Sequence, residues 1–297
     1  MKIYIKKPIS KVYKLLVKIL AIQNKMGIGD TVIYLPFIKA IAKKFHCPIS
    51  LLVQESSKAD EFLNQTPYIG QVIYLKKNEG YDGILGSLKL AKELNKYNFE
   101  KVFIFNSSLR FNLVSRLAGI KDIYQYPLFK KKQQHIINTA KKLIKDNLNV
   151  VVDENPEIRI NEKLVKENTK KLDIKKDEIN VLLGIGGSGP TKRIPSKTFL
   201  LFMDKVTKIK KCRFILATGK SKDEQKILNE ILDTKFKEQC IPLDSYSINE
   251  TLPFIKNCNI AICNDTGFAH ISSALGVKTI TLMADTPLVY GSYSTNM

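Results

Sequence analysis

The amino-acid sequence predicts an α/β protein made of two domains, each with a parallel β-sheet. Short apolar segments typical of buried strands alternate with longer segments of helical periodicity, and this alternation runs twice along the chain. The 297 residues are enough for one large domain or for two medium ones with their own cores. Because the two series are similar, we expect two domains.

The first series of elements fills the N-terminal half of the chain. Its strands are runs of aliphatic and aromatic residues, and its helices have apolar residues at i, i+3 and i+4. The strands are predicted at 18–23, 49–53, 72–75 and 101–105. The helices are predicted at 30–45, 88–97, 109–118 and 133–147.

The second series is more regular and follows a charged stretch at 160–178 that lacks strand signals. We place the junction of the domains in this stretch, with a first domain at 1–165 and a second at 176–297. The strands of the second series are predicted at 181–185, 214–218, 260–263 and 279–283. Its helices are predicted at 197–209, 223–233, 249–256 and 267–275.

The chain is strongly basic, with 48 Lys and Arg against 28 Asp and Glu and a formal net charge of +20. Such an excess attracts nucleic acid, anionic lipid or a phosphorylated ligand. However, most of it is lysine spread along the chain, so we interpret it mainly as compositional bias with a modest functional contribution. No run approaches the roughly 20 apolar residues of a membrane-spanning helix.

The first 17 residues, MKIYIKKPISKVYKLLV, form a basic segment before the first predicted strand. It begins like a secretory signal, but no small-residue cleavage site follows, so we reject a signal peptide. Tyr13, Leu16 and Val17 alternate with lysines and predict a short amphipathic helix. Such a helix either lies on an anionic membrane surface or packs on the domain that it precedes.

The five cysteines have no paired CxxC spacing of the kind that indicates a zinc site. An odd number of cysteines without a recognisable framework is typical of a reduced, cytoplasmic protein. We therefore expect no metal centre and no disulfide framework.

Three glycine-containing turns directly follow predicted strands, where open α/β sheets bind ligands. The first, MGIGDT at 26–31, has Gly29 for close backbone approach and Asp30 at the start of a helix. Asp30 also fits a simple capping role. As a dinucleotide-binding fingerprint the turn is weak, because Val32 occupies the position of the third glycine.

The second turn, GIGGSGPTKRIP at 184–195, combines four glycines with two hydroxyls and with Lys192 and Arg193. Backbone amides, hydroxyls and cations after a strand predict a cradle for an anion. It is not a Walker A phosphate loop, because Pro190 occupies the position where that pattern needs lysine.

The third turn, NDTGFAH at 264–270, leads into a predicted helix. Thr266, Gly267 and the amides that follow lie at the N-terminus of this helix, a natural site for a diphosphate. A lone His270 on a helix is more often a core residue. Its position after Asp265 and near the glycine loop favours a functional role.

Together these motifs resemble glycosyltransferase family 9, the heptosyltransferases of lipopolysaccharide core synthesis. The resemblance covers about residues 18–287. It is carried by GD at 29–30 with LP at 35–36, KRIP at 192–195, SINE at 247–250 and the block NDTG…H…ALGV at 264–277.

The resemblance implies the GT-B fold, in which two Rossmann-like domains face each other across a cleft and the second holds most of the donor. It implies an inverting transfer from a nucleotide-diphosphate sugar, typically ADP-heptose, with neither a metal nor a cofactor. The implied acceptor is a lipid-linked glycan. We expect a cytoplasmic monomer, peripheral at the inner face of the inner membrane, that does not bind nucleic acid.

The resemblance also assigns roles to residues by their position in the motifs. It makes Asp30 the general base for the acceptor hydroxyl and lets Lys192 offset charge on the leaving diphosphate. It makes Glu224 the acceptor for a ribose hydroxyl and places Tyr246 against the base. The other donor-binding candidates are Gly29, Gly187, Ser188, Thr191, Asp265 and the phosphate ligands Thr266, Gly267 and His270.

The chain departs from the family pattern at several positions. Gly187 and Ser188 stand where hydroxyl residues are common, and Ile194 stands where Trp is common, which leaves the sugar open. Family members also continue into a C-terminal helix, whereas this chain stops at Met297. The resemblance therefore implies a fragment or a trimmed version.

Two alternatives to the transferase remain open from the sequence. One is a sugar-nucleotide epimerase on the same fold. The other is a basic module that binds nucleic acid or an anionic membrane, suggested by the net charge. Against this module, the sequence lacks the stacking aromatics, the zinc fingers and the dense basic stripe that are typical of nucleic-acid-binding proteins.

Overall fold

The computed structural model describes residues 17–128, 135–171, 177–187, 189–283 and 293–297. The chain divides into two compact units, a first unit that ends at Glu154 and a second that begins at Asn155. Each unit contains a five-stranded parallel sheet with connecting helices, which confirms the predicted α/β class. The basic segment before residue 17 and the candidate Ser188 lie outside the described residues.

The first unit has the strand order β3-β2-β1-β4-β5. Its strands are β1 Ile19–Gln23, β2 Ile49–Gln54, β3 Ile69–Leu75, β4 Lys101–Ile104 and β5 Asp122–Gln125. Its helices are α1 Ile28–Phe45, α2 Ala59–Leu63, α3 Gly83–Asn95, α4 Leu109–Leu117 and α5 Ile136–Leu148.

The central strand β1 is buried along its whole length, as expected for a parallel strand covered on both faces by helices. Strand order reverses between β1 and β4, so a crevice opens beyond their carboxyl ends. There the side chain of Asn106 donates from Nδ2 to Oδ1 of Asn24 at 3.0 Å and joins the two turns.

The second unit has the strand order β10-β9-β6-β7-β8. Its strands are β6 Ile179–Gly184, β7 Cys212–Ala217, β8 Cys240–Pro242, β9 Ile260–Asn264 and β10 Lys278–Leu282. Its helices are α6 Glu162–Lys171, α7 Ser196–Thr207, α8 Lys222–Leu232, α9 Ile248–Lys256 and α10 Gly267–Ala274. Here the order reverses between β6 and β9, whose turns are the second and third glycine-containing turns.

All eight predicted strands are present, and the elements that the sequence analysis missed are short or polar. The missed strands β5 and β8 have four and three residues and lie at sheet edges. Helix α2 has only five residues. The charged stretch at 160–178 contains the regular helix α6, which the sequence analysis did not predict.

Helix α6 is fixed to the second unit through Asn257, which follows α9. The amide of Asn257 donates to the carbonyl oxygen of Val165 and to Oδ1 of Asn168, and its Oδ1 accepts from the hydroxyl of Thr169. These side-chain contacts explain why a highly charged segment with little apolar surface still packs as a helix. No helix in the described part of the chain is long and apolar enough to cross a bilayer.

Candidate functional site

The carboxyl ends of β6 and β9 are joined tightly in the second unit. Gly184 ends β6 against Cys263, and a Cβ at Gly184 would lie 2.6 Å from the sulfur, so only glycine allows this approach. The fully buried side chain of Asn264 donates from Nδ2 to the carbonyl oxygens of Ile185 and Gly186, at 3.0 Å each. The start of the glycine loop is therefore fixed to the turn that leads into α10.

An ion pair joins the other end of the glycine loop to the turn after β9. Lys192 places its Nζ 2.6 Å from Oδ2 of Asp265, and the Asp265 side chain is only 11% exposed. On its other side, Oδ1 of Asp265 lies 4.0 Å from Nε2 of His270. The structure thus brings two predicted site residues, Lys192 and His270, to the carboxylate of a third, Asp265.

His270 is held by Tyr293, which the sequence analysis did not identify. The hydroxyl of Tyr293 is hydrogen-bonded to Nδ1 of His270, and the two rings are stacked with centroids 5.5 Å apart. Burial lowers the pKa of His270 to about 4; Asp265 opposes the shift, and Lys192 adds to it. Burial and Asp265 raise the pKa of Tyr293 well above its usual value. At neutral pH both groups are therefore uncharged.

These charge states favour one tautomer of His270. A protonated Tyr293 donates to Nδ1, which leaves the imidazole proton on Nε2. This tautomer directs an N–H, rather than a lone pair, at the carboxylate of Asp265. His270 consequently offers a neutral hydrogen-bond donor on the side of the Lys192–Asp265 pair.

Three buried polar atoms at this edge have no hydrogen-bond partner in the part of the chain that the structure describes. They are Oγ1 of Thr218 after β7, Oδ1 of Asn264 and Oγ1 of Thr266, the N-cap residue of α10. Burying such groups unpaired is costly, and a ligand bound at this edge of the sheet would supply partners for them. The N-terminal amides of α10 also point toward this edge and suit an anion.

Glu224 connects the glycine loop after β6 with the loop after β7, which contains Gly219. Its Oε1 accepts from the amides of Gly187 at 3.0 Å and Gly219 at 3.3 Å. Its Oε2 accepts from Ser221 in a capping box at the start of α8. A Cβ at Gly186 would lie 2.5 Å from Oε1 of Glu224, so a larger residue there would displace this carboxylate. The ribose role assigned by resemblance remains a prediction, and the carboxylate already organises both loops.

Tyr246 lies in the loop between β8 and α9, at the far end of the same sheet edge. Its ring packs on Phe254 at a centroid distance of 5.0 Å. Along this edge the third turn follows β9, the glycine loop follows β6, Glu224 follows β7 and Tyr246 follows β8. The predicted phosphate, ribose and base positions therefore follow one another in spatial order.

Asp30 lies in the first unit, in the first turn of α1. Its Oδ2 accepts from the amide of Gly27 at 3.1 Å, and its Oδ1 lies 3.9 Å from Nζ of Lys25. The side chain is 24% exposed, so it caps the helix and still reaches solvent. Gly29 is buried in the same turn, whereas the other donor candidates belong to the second unit.

Two further candidates occupy defined positions in the glycine loop. Thr191 lies in a short 3₁₀ helix at Pro190–Lys192. Gly187 approaches the backbone of Lys192, where a Cβ would lie 3.0 Å from the carbonyl oxygen.

No pattern in the sequence indicates a functional role for Tyr293. Asn264 does stand out, because it is a polar residue at the end of an apolar strand. No group of three metal-ligating side chains occurs among the described residues.

The two parallel-sheet units, with paired loops at the carboxyl ends of the second sheet, define a two-unit α/β protein of the GT-B class. The sequence profile of glycosyltransferase family 9 (heptosyltransferase) matches residues 87–296. The chain belongs to this family, which confirms the resemblance predicted from the motifs. It is accordingly a heptosyltransferase-like glycosyltransferase.

Individual proteins with similar sequences and structures agree with this assignment. Lipopolysaccharide heptosyltransferase 1 of Campylobacter coli is 22% identical, over 94% of this chain and 87% of its own length. The structure of ADP-heptose LPS heptosyltransferase II from E. coli is 16% identical with a TM-score of 0.73, covering 94% of this chain and 89% of that one.

A UDP-GlcNAc 2-epimerase from Methanocaldococcus jannaschii has the same type of fold but superposes less well. It is 17% identical with a TM-score of 0.52, covering 90% of this chain and 84% of the epimerase. At such identity, structural similarity identifies the fold alone. The family profile, rather than the fold, separates the transferase from the epimerase.

Proposed function

We propose that this protein transfers a heptose-type sugar, with inversion, from an ADP-linked donor to a lipopolysaccharide-core or related lipid-linked glycan. The observation that carries the proposal is the cluster of Lys192, Asp265 and His270 beside the hydroxyl of Thr266 at the start of α10, which has no hydrogen-bond partner among the described residues. The cluster supplies a cation, neutral donors and helix amides, which is the chemistry that a diphosphate requires.

The donor would extend along the carboxyl edge of the second sheet. Its diphosphate would bind at the α10 N-terminus, where it competes with Asp265 for Lys192. Glu224 would accept from a ribose hydroxyl and Tyr246 would contact the base, because they lie progressively farther along the edge. The similarity to the ADP-heptose LPS heptosyltransferase II of E. coli supports an ADP-linked donor.

In the reaction, Asp30 would take the proton of the acceptor hydroxyl as its oxygen forms a bond to the anomeric carbon. The bond from that carbon to the diphosphate breaks on the opposite face, which inverts the configuration. ADP leaves with the electron pair, and Lys192 and the N–H of His270 stabilise its growing charge. No protein group needs to bond to the sugar in this single displacement.

We propose that the enzyme acts in the cytoplasm at the inner face of the membrane, where a nucleotide donor and a lipid-linked acceptor would meet. The lipopolysaccharide heptosyltransferase of Campylobacter coli supports the acceptor class. The net charge of +20 suits an anionic surface of this kind.

The deciding experiment is a calorimetric titration with sugars linked to ADP, UDP, GDP and CMP, followed by transfer assays with a delipidated core oligosaccharide. We expect binding of ADP-linked sugars and a product of inverted anomeric configuration by NMR. Preference for a UDP-linked sugar would refute the proposal of an ADP-linked donor. Retention of the anomeric configuration would refute the inverting mechanism. Epimerisation without an acceptor would favour the alternative enzyme.

A further inference from the structure

An apolar stripe runs along two neighbouring helices of the first unit. It consists of six large aliphatic side chains that are at least half exposed, which is unusual for a contiguous surface of a water-soluble unit. They are Ile84 (83% exposed), Leu85 (82%) and Leu88 (50%) on α3, and Leu109 (62%), Leu113 (53%) and Leu117 (50%) on α4. We call this set the α3–α4 stripe.

The spacing within each helix places its exposed aliphatic side chains on one face, and the two helices are neighbours. Leu109, Leu113 and Leu117 follow one another at four-residue intervals, so they lie along one face of α4. Helices α3 and α4 pack against each other, and Arg110 fixes their first turns. Its Nε donates to the hydroxyl of Ser87 at 3.0 Å, and its guanidinium also donates to the carbonyl oxygen of Tyr81.

The stripe begins at the functional edge of the first sheet. Because the strands are parallel, helices α1, α3 and α4 all begin near the carboxyl ends of the strands. Ile84 and Leu109 therefore share an edge with the turn that carries Asp30. Exposed Met26 (69%) lies in that turn.

The charged side chains of α3 and α4 are mostly basic, although the exposed N-cap residue of α3 is Asp82. The sequences of α3 and α4 contain four cations, Lys89, Lys92, Arg110 and Arg116, against a single acidic residue. That residue, Glu93, is already paired with Lys96 at 2.8 Å. An apolar centre with a basic margin is the pattern of helices that lie in the headgroup region of an anionic bilayer.

We propose that the α3–α4 stripe docks this unit on an anionic lipid bilayer and so presents the Asp30 edge to a membrane-embedded acceptor. The identity of the acceptor rests on the proposed function, whereas the docking itself needs no sugar. A second copy of the chain fits the surface less well, because an isologous interface would set this mostly basic surface against an identical, equally basic one. The basic margin instead complements anionic headgroups.

The test is co-sedimentation of the full chain with vesicles of 30% phosphatidylglycerol in phosphatidylcholine. The stripe variant carries Leu85→Gln and Leu113→Gln. The control variant carries Leu201→Gln and Ile209→Gln, which alter residues of the second unit with 56% and 85% exposure. All four positions are at least half exposed, so both variants should fold, which circular dichroism checks.

We expect the stripe variant to bind vesicles at least tenfold more weakly, and the control variant to bind like the wild type. Turnover on a delipidated, water-soluble acceptor should be unchanged in both. Equal vesicle binding by the two variants, or no binding by the wild type, would overturn the proposal. So would sedimentation equilibrium showing a wild-type dimer that the stripe variant loses. If the stripe variant loses vesicle binding and the wild type transfers no sugar, the docking proposal is supported. Only the proposed function is then refuted.

Discussion

Nζ of Lys192 lies 2.6 Å from Oδ2 of Asp265, across the 73 residues that separate them in the chain. The pair joins the glycine loop after β6 to the turn after β9, the two neighbouring strands at which the order of the second sheet reverses. A cation held in this way is positioned before any donor arrives. A diphosphate bound at the start of α10 would exchange one anionic partner for another.

Replacing Lys192 by Ala should weaken the binding of ADP about 10- to 100-fold. A charge-assisted contact to phosphate contributes about 1.5–3 kcal/mol, and each 1.4 kcal/mol corresponds to a factor of ten. Isothermal titration calorimetry with ADP measures the effect. Lys205→Ala, which removes an exposed lysine of α7, is the control and should bind ADP normally. Equal affinity in Lys192→Ala and wild type would remove Lys192 from the site.

Replacing Asp30 by Asn should lower turnover by about 10²–10⁴-fold, the usual contribution of a general base. Donor affinity should stay within about threefold, because the donor candidates apart from Gly29 belong to the second unit. The amide oxygen of Asn can still accept from Gly27, so the first turn of α1 should be retained. If Asp30→Asn keeps more than half of wild-type turnover, Asp30 acts only as a helix cap.

Glu224 and Glu250 form a matched pair for testing the loop connection. Each closes a capping box with a serine three residues earlier, Ser221 or Ser247. Each Glu→Ala change removes one of the two reciprocal hydrogen bonds of its capping box and should therefore destabilise the start of its helix. Only Glu224 also accepts from the glycine loop at Gly187. We expect Glu224→Ala alone to weaken ADP binding; a similar loss in Glu250→Ala would mean that capping, not loop positioning, is responsible.

His270 should make the folded state sensitive to acid. Its pKa of about 4 in the folded protein lies below the ordinary value of 6.5, so between these pH values the unfolded chain binds a proton that the folded chain does not. The contribution to stability is present above pH 6.5 and is lost as the pH falls toward 4. From pH 7 to pH 5 the loss should be about 2 kcal/mol.

Urea denaturation of wild type and His270→Gln at the two pH values measures this contribution. The variant should lose less stability on acidification, by about the same 2 kcal/mol. The control variant His46→Asn alters an exposed residue at the end of α1 and should keep the wild-type dependence. An unchanged acid sensitivity in His270→Gln would show that other groups cause it.

The strand pattern of both units could be predicted from the sequence because buried parallel strands leave a direct signal. ILAIQ at 19–23 and KVFI at 101–104 are apolar runs bounded by turns, and both form strands of the first sheet. The edge strands β5 and β8 left no such signal, because only one neighbouring strand and a few partly buried side chains define them.

The family and the three loops at the sheet edges could also be predicted from the amino-acid sequence, because glycines and helix-start residues after strands are local patterns. Which groups meet depends on how the elements pack. Tyr293 reaches His270, Glu224 receives amides from two loops, and six exposed aliphatic side chains form one stripe on α3 and α4. These relationships join residues distant in sequence, or faces that only helix packing defines, and local periodicity cannot encode them.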